Sequence, residues 1–500
     1  MNTFMNNLAE ATNFNRTENG ALAHKSTMSM VYDMFALGGA YRRRSDEDCI
    51  LLFKNSYAED PVLALKCLFY IRDCRGGQGE RRFFRLCYNW LCKNDPTAAR
   101  RNLEYLSEYG RWDDLWMCTF GTELFTDALK MIKDQLILDV SCKAPSLLAK
   151  WLPSENASSK DTKTMAKLIR EYLGFSHKEY RKLLSELRKR INVLEKLMSA
   201  NRWDEIEFDK IPSKAGLIYK NAFARRDIIA KKYEAFAKSA DTKVNAKTLY
   251  PYEVVAKAVE YEDCHFKNLS DTDRAMIEKY WNNLPDYLNG ADCSMICVVD
   301  TSGSMTGLNA DAPLNVAIGL GMYCAERIGG PFKNHYISFA SRPQLIKIEG
   351  TDFVDKSRRI YEKNLCDNTN IKSTFDILLK IALDTNTNKE DSPKTLTIIS
   401  DMQIDHMTGS LYTNMRSWTE NSAATEMERI RQRWAAAGIE CPRLVYWNVN
   451  ASRNTILDKG PNVSFVSGCS PVIFEQIIQG ITGYELMLDK LMSDRYSCIK

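Results

Sequence analysis

The sequence has no uninterrupted apolar run long enough to cross a bilayer, and Met1 to Asn7 carry no charged-then-apolar signal pattern. No membrane partner is therefore expected, and the expected location is the cytoplasm, that of the host if the source is a virus. The 15 cysteines include no Cys-x-x-Cys pair, and Cys67, Cys87, Cys297 and Cys324 sit within apolar runs. Reduced, buried thiols are expected rather than a disulfide framework or a zinc site. The five histidines are scattered and form no His-Glu-x-x-His pattern. No Gly-Lys-Ser/Thr follows the glycine-rich turn at 76–79, so there is no P-loop. With no nucleophile–base pair or acid dyad in view, an enzyme is not expected. Metal-dependent hydrolysis would require Asp405 or His406 to face a bound ion.

What is present is ordinary for a globular protein: 45% apolar and 26% charged residues over 500 positions, more than one core usually serves. Two domains are expected. The net charge of +4 is unevenly spread. Residues 1–290 hold 46 basic and 40 acidic side chains, a balance of +6, whereas 291–500 hold 22 and 24, or −2. Within the first part, residues 151–250 hold 22 basic against 13 acidic, or +9, and a polyanion would land there.

Residues 1–20 are polar and read as a mobile arm. From 21 to 289 the pattern is helical almost throughout, with starts marked by Asp60-Pro61, Asp95-Pro96 and the capping box Ser176-His177-Lys178-Glu179. Helices are expected over 61–73, 81–93, 97–108, 122–139, 162–173 and 177–199, an order that favours an α-solenoid or irregular bundle. Three glycines in 72–82 separate two arginine-bearing helices. Either Gly supplies a tight turn while the arginines pair with Asp73 and Glu80, or the turn is an anion nest flanked by Arg72, Arg75, Arg81, Arg82 and Arg85. In 177–199, Tyr180, Leu183, Leu184, Leu187, Ile191 and Leu194 form the buried stripe. Lys178, Arg181, Lys182, Arg188 and Lys189 fall mostly off it, and Arg225-Arg226 adds a second basic cluster. Such a face is either solvated surface or a phosphate-binding one.

At 289–292 the pattern changes to alternating strands and helices, so a second domain is expected over 290–484, with 485–500 packing back on the helical part. Strands are expected at 295–299, 335–340, 396–400, 444–449 and 463–466, and helices at 312–328, 373–384, 420–437 and 470–480. That alternation predicts a doubly wound, mainly parallel, Rossmann-like sheet. The fold class is therefore α plus α/β. The strand Met295 to Val299 ends in Asp300-Thr301-Ser302-Gly303-Ser304, a turn offering a carboxylate and hydroxyls. A turn at the carboxyl end of a buried strand is where open α/β sheets bind ligands. Clustered oxygens suit a hard divalent cation such as Mg²⁺.

The Asp-x-Ser-x-Ser spacing resembles the metal-ion-dependent adhesion site (MIDAS) of von Willebrand factor A domains. Asp367-Asn368-Thr369-Asn370 resembles that site's second loop, with Thr369 the ligand candidate, and Asp401 in the run Leu396-Thr397-Ile398-Ile399-Ser400-Asp401-Met402 resembles its third. The resemblance implies that Ser302, Ser304 and Thr369 contact the metal while Asp300 and Asp401 act directly or through water, leaving a position that a partner's carboxylate fills. The alternative is that these residues serve only as turns and helix caps.

A helical half followed by an A domain is similar to the TROVE-domain family of Ro autoantigens. It is closer still to a relative in plants, bacteria and bacteriophages known only as a domain of unknown function. That second resemblance rests on Thr17-Glu18-Asn19-Gly20-Ala21, Tyr70-Ile71-Arg72-Asp73, Gly76-Gly77-Gln78-Gly79-Glu80-Arg81 and Tyr109-Gly110-Arg111-Trp112-Asp113-Asp114-Leu115. It continues in Lys150-Trp151-Leu152-Pro153, Ile211-Pro212-Ser213, Asn368-Thr369, Ser400-Asp401-Met402 and Val445-Tyr446-Trp447-Asn448. Likeness to Ro implies a ring of HEAT-like helical repeats closed by the A domain, binding structured or single-ended RNA as a ribonucleoprotein. The expected function is that of a non-catalytic RNA-binding ring or scaffold holding Mg²⁺. The alternative is a protein–protein scaffold whose metal captures a partner carboxylate without RNA.

Overall fold

A computed structural model of the chain describes residues 12–262, 265–307, 309–339, 343–363, 371–384, 389–404 and 425–500. The amino-terminal part is helical and the carboxy-terminal part is built on a six-stranded mixed sheet. The helix starts are set by local chemistry. Asp60 and Asp95 each cap a helix with Pro at its first position, accepting the amides of Leu63 (2.9 Å) and Ala98 (3.0 Å). The capping box forms: Ser176 accepts the Glu179 amide, and Glu179 accepts that of Ser176. Two expected helices are broken. The stretch 97–108 divides into Pro96–Asn102, a 3-10 turn Leu103–Tyr105 and Leu106–Tyr109. The stretch 177–199 divides into His177–Arg190 and Leu194–Ser199, because Asn192 adopts a left-handed φ of +49° that asparagine tolerates better than most residues.

Early among the described residues comes a hairpin, β1 (Phe14–Arg16) and β2 (Leu22–His24), and a second small hairpin pairs β3 (Tyr261–Glu262) with β4 (His265–Phe266). The first corrects the expected mobile arm within residues 12–20. Thr17 is buried, its hydroxyl donating to the Ile404 carbonyl at 2.7 Å, and His24 bridges to Ile456. The arm's first 11 residues lie outside those described.

The main sheet holds β5 (Met295–Asp300), β6 (His335–Phe339), β7 (Leu345–Lys347), β8 (Thr395–Ser400), β9 (Arg443–Asn448) and β10 (Val463–Ser467) in the order β10-β9-β8-β5-β6-β7. Neighbours run parallel except β7, a short antiparallel edge strand beside β6 that the periodicity did not signal. Every residue of β5 and of β8 is buried, so both faces of the sheet centre are covered. From β5 the chain moves to β6 on one side, while β8 lies on the other. The strand order therefore reverses between β5 and β8, the position at whose carboxyl ends open α/β sheets form a ligand crevice.

Both ends of the helical run bear on this sheet domain. Near the start, Tyr32 accepts the Phe465 amide at 3.0 Å, and Ser467 donates to the Phe35 carbonyl at 3.0 Å. At the far end, helix Pro251–Ala258 packs on Pro313–Arg327, where a Cβ on Gly319 would come within 2.8 Å of the Tyr252 amide nitrogen. Trp281 stacks on Phe353 with ring centres 4.2 Å apart. The carboxy-terminal residues return to the helical half: Arg495 pairs with Asp73, and the Lys500 amide donates to Asn102 at 3.0 Å.

Candidate functional site

Asp300 ends β5 and Asp401 follows β8, so the two carboxylates flank the crevice. Asp300 is fully buried, while Asp401 and Ser302 are 2% and 3% exposed. Asp300 Oδ1 accepts the Ser302 amide at 2.9 Å and Oδ2 accepts the Ser400 hydroxyl at 2.5 Å. Ser302 and Ser304 hydroxyls lie 3.2 Å apart, and Ser304, which faces solvent, also bonds Asp401. Asp401 Oδ1 accepts the Gln403 amide at 3.1 Å. Four of the five residues proposed from sequence thus meet around one crevice. The fifth, Thr369, lies outside the described residues, as do Asp405 and His406.

Burial, and then the negative charge of Asp300, push the Asp401 carboxyl up to about 7, against hydrogen bonds from Gln403 and Ser304 that pull it down. Among the described residues no cation pairs with Asp401. Two carboxylates forced together in a buried, all-oxygen crevice fit a small hard cation, which would relieve their repulsion. The turn that aims Asp401 is also strained, since Met402, buried and not glycine, has φ +63°. Among the described residues no group of three or more His, Cys, Asp or Glu side chains gathers as a metal site, so any ion here depends on hydroxyls for the rest of its shell. Ser400 was not singled out as a contributor, although it immediately precedes Asp401. Nor was the Thr17–Asn19 turn, which borders the crevice loop through the Glu18 amide on Gln403 Oε1 (2.7 Å) and Asn19 on the Gln403 carbonyl (2.6 Å).

The described residues enclose a cavity of about 700 Å³ lined by Ile296, Ile337, Leu378, Ile381, Trp434 and Ile439. It lies at the amino-terminal edge of the strands, away from Asp300, and its walls are largely apolar.

The basic candidates divide by environment. At the glycine turn the amides of Gln78, Gly79 and Glu80 are taken by the carbonyls of Tyr70, Asp73 and Ile71. These three amides are therefore not free to form an anion nest. A Cβ on Gly77 would sit 1.9 Å from the Tyr70 carbonyl oxygen, which explains the glycine. The arginines do pair with acids, but across elements. Arg72, 2% exposed, grips Asp114 through Nε (2.8 Å) and Nη2 (2.6 Å), and Arg85 binds Asp114 (2.6 Å) and Asp113 (2.8 Å). Asp73 takes Arg495, and Glu80 takes Arg42 at 2.7 Å. Arg82 pairs with Asp46 on the surface, and Arg75 donates to the Glu108 carbonyl. Arg72 therefore offers no surface to a polyanion, whereas Arg81 remains exposed.

On helix His177–Arg190, Lys178, Arg181, Lys182 and Lys189 are exposed. Arg188 is not part of that face. It donates to the carbonyls of Ala149 (2.8 Å) and Leu152 (2.7 Å) and to Ser154 (2.9 Å), holding the turn 148–154. Arg225 and Arg226 are exposed, with the Arg226 guanidinium 4.9 Å from the Trp203 ring centre.

Among the described residues no helix is long and apolar enough to cross a membrane. Residues 17–120 and 157–291 match one domain of unknown function (DUF2828), and 294–485 match a second (DUF7788). The two matches part just before β5. The chain is also similar, at 28% identity over 486 residues, to Uncharacterized protein L728 of Acanthamoeba polyphaga mimivirus, a likeness covering 89% of this chain and 80% of that one.

Proposed function

We propose that this is a non-catalytic binding protein that carries RNA on the basic surface of its helical half and holds a divalent cation, Mg²⁺, at the carboxyl edge of its sheet. The helical half is read as a HEAT-like solenoid, closed on itself by a sheet domain of the von Willebrand A type, as in Ro. What supports closure is that both ends of the helical run bear on the sheet domain. The observation that carries the reading is the pair of buried carboxylates, Asp300 and Asp401, set among hydroxyls where the strand order reverses. Ser302 and Ser304 would ligate the ion, with the two carboxylates bound directly or through water. The ion would supply positive charge toward an incoming oxygen ligand.

The RNA part is supported by the exposed Lys178, Arg181, Lys182 and Lys189 within a segment of local charge +9. Anisotropy of a labelled single-stranded RNA tests it: binding at low salt should fall steeply as salt rises, and charge reversal at these four positions should weaken it. No binding at low salt would overturn it. Calorimetric titration of Mg²⁺ into chelator-treated protein tests the ion, with heat expected from the native chain and lost in Asp300→Asn. The second reading, a scaffold that grips a protein carboxylate through the ion without RNA, is favoured by the exposure of Ser304, which opens the crevice to solvent. Partner recovery that survives chelation would dismiss it.

A further inference from the structure

Where the glycine turn meets the motif Gly110-Arg111-Trp112-Asp113-Asp114, four guanidinium groups gather around two carboxylates. Arg72 and Arg85 hold Asp114, and Arg85 and Arg111 hold Asp113, Arg111 through Nε at 2.9 Å. Arg81 is the fourth. Among the described residues its side chain has no acidic partner and no hydrogen bond. It sits one helical turn before Arg85, whose amide donates to the Arg81 carbonyl at 3.1 Å, and withdrawal from water, then the positive charges of Arg111, Arg85 and Arg72, push its pKa down against the pull of Asp113. The cluster is therefore two charges in excess, and Arg81 is its most exposed member, with Arg111 partly exposed beside it. Beside it, the Arg111 guanidinium lies over Trp151, 4.0 Å from the ring centre, with the Lys150 ammonium 5.6 Å from the same ring. Arg111 is thereby fixed in place, and an incoming anion would find it already oriented.

A site of this kind favours an anion with several acceptor oxygens, because an arginine fork donates two parallel hydrogen bonds. The surroundings favour a polyanion over a lone carboxylate. Helix Leu148–Trp151 is held by Arg188 against His177–Arg190, so the cluster adjoins the basic helix with its exposed Lys178, Arg181, Lys182 and Lys189. We infer that Arg81, backed by Arg111 and Lys150 around Trp151, is a phosphate-binding site that takes a backbone phosphate of single-stranded RNA at the junction of the glycine turn and the basic helix. The inference rests on the RNA reading above and names one contact within it.

The experiment is anisotropy of a fluorescein-labelled 20-nucleotide oligo(U) between 50 and 200 mM KCl, using the full chain, Arg81→Gln, Arg81→Lys and the charge-matched surface control Lys93→Gln. Arg81→Gln should bind about tenfold more weakly, with the slope of log affinity against log salt shallower by about 0.7, the loss of one single-strand phosphate contact. Arg81→Lys keeps the charge and should restore the slope, while Lys93→Gln should match the native chain. If Arg81→Gln behaves like Lys93→Gln while charge reversal on the basic helix still weakens binding, this inference is overturned and the RNA reading stands. If the native chain binds no oligo(U) at 50 mM salt, the RNA reading falls, and inorganic pyrophosphate decides the site by itself. A thermal midpoint raised by pyrophosphate in the native chain but not in Arg81→Gln would retain the phosphate site. No difference between the two would overturn it.

Discussion

Ser400 Oγ donates to Asp300 Oδ2 at 2.5 Å, joining the ends of two adjacent strands that are 100 residues apart in sequence. This bond fixes the carboxylate that opens the crevice while its other oxygen is held by the Ser302 amide. Asp300 is thus oriented before any ligand arrives, and a group placed this way adds little ordering cost on binding.

Like charges buried together oppose folding unless something neutralises them. In chelator, Asp401→Asn should therefore be at least as stable as the native chain, by about 1 kcal/mol. With Mg²⁺ present the native chain should gain thermal stability and the variant should not. Differential scanning calorimetry with and without Mg²⁺ checks both; a native midpoint indifferent to Mg²⁺ would count against an ion at this crevice.

Gly110→Ala should destabilise the helical half strongly. A Cβ there would meet Asp114 Oδ2 at 2.1 Å and Arg72 Nε at 2.8 Å, both members of a buried ion pair that cannot retreat. Displacing either leaves a charge without its partner, at a cost of about 3–5 kcal/mol. Urea unfolding followed by circular dichroism measures the loss.

Asp73 is fully buried and accepts from Arg495, from the Tyr496 hydroxyl at 3.0 Å and from the Arg75 amide at 2.9 Å, whereas a third of the Arg495 side chain is exposed. Removing the arginine strands a buried carboxylate; removing the carboxylate leaves an arginine that can turn to water. Arg495→Ala should therefore cost more, about 3 kcal/mol against about 1–2 for Asp73→Asn. It should also expose residues 493–500 to limited proteolysis first.

Arg188 and Lys182 share a helix but should respond oppositely. Arg188→Gln loses three hydrogen bonds to the turn 148–154 and should lower stability by about 1–3 kcal/mol. Lys182→Glu should leave stability within about 0.5 kcal/mol and reduce RNA affinity. Equal affinity for native and Lys182→Glu chains would remove that residue from the interface.

Burial raises the Glu428 carboxyl, but hydrogen bonds from His24 (3.0 Å) and the Thr425 amide outweigh it and hold it below its ordinary value. Its stabilising contribution is thus complete above the ordinary glutamate value of about 4.3 and is lost as pH falls through the lower, folded one. Glu428→Gln should show a smaller loss of thermal midpoint between pH 5 and pH 3 than the native chain. An identical acid limb would show that this pair does not set it.

The sheet centre was legible because β5 and β8 are apolar runs buried on both faces and end in chemically distinctive turns. Asp60, Asp95 and Ser176 announced their helices because capping is a local interaction. The β1–β2 hairpin escaped notice because what orders it is remote: Thr17 is held by Ile404 and His24 by Ile456 and Glu428. The arginines around the glycine turn posed the same difficulty. Which acid each one meets depends on how helix Asp113–Thr119 packs against helix Arg82–Asn94, and nothing in 72–82 encodes that. The break at Asn192 interrupts a stripe whose apolar spacing continues across it, so periodicity alone ran the helix through.

The opening hairpin has a consequence for the order in which the chain is completed. During synthesis its Thr17 emerges 387 residues ahead of the carbonyl it will bond, and β2 precedes its bridge to Ile456 by still more. The hairpin must therefore wait, unpaired on one side, until Ile404 and Ile456 have been made. A nascent chain halted before β8 would keep that edge open, and the surroundings of Asp300 would be finished only when Thr17 to Asn19 meet Gln403 and Ile404.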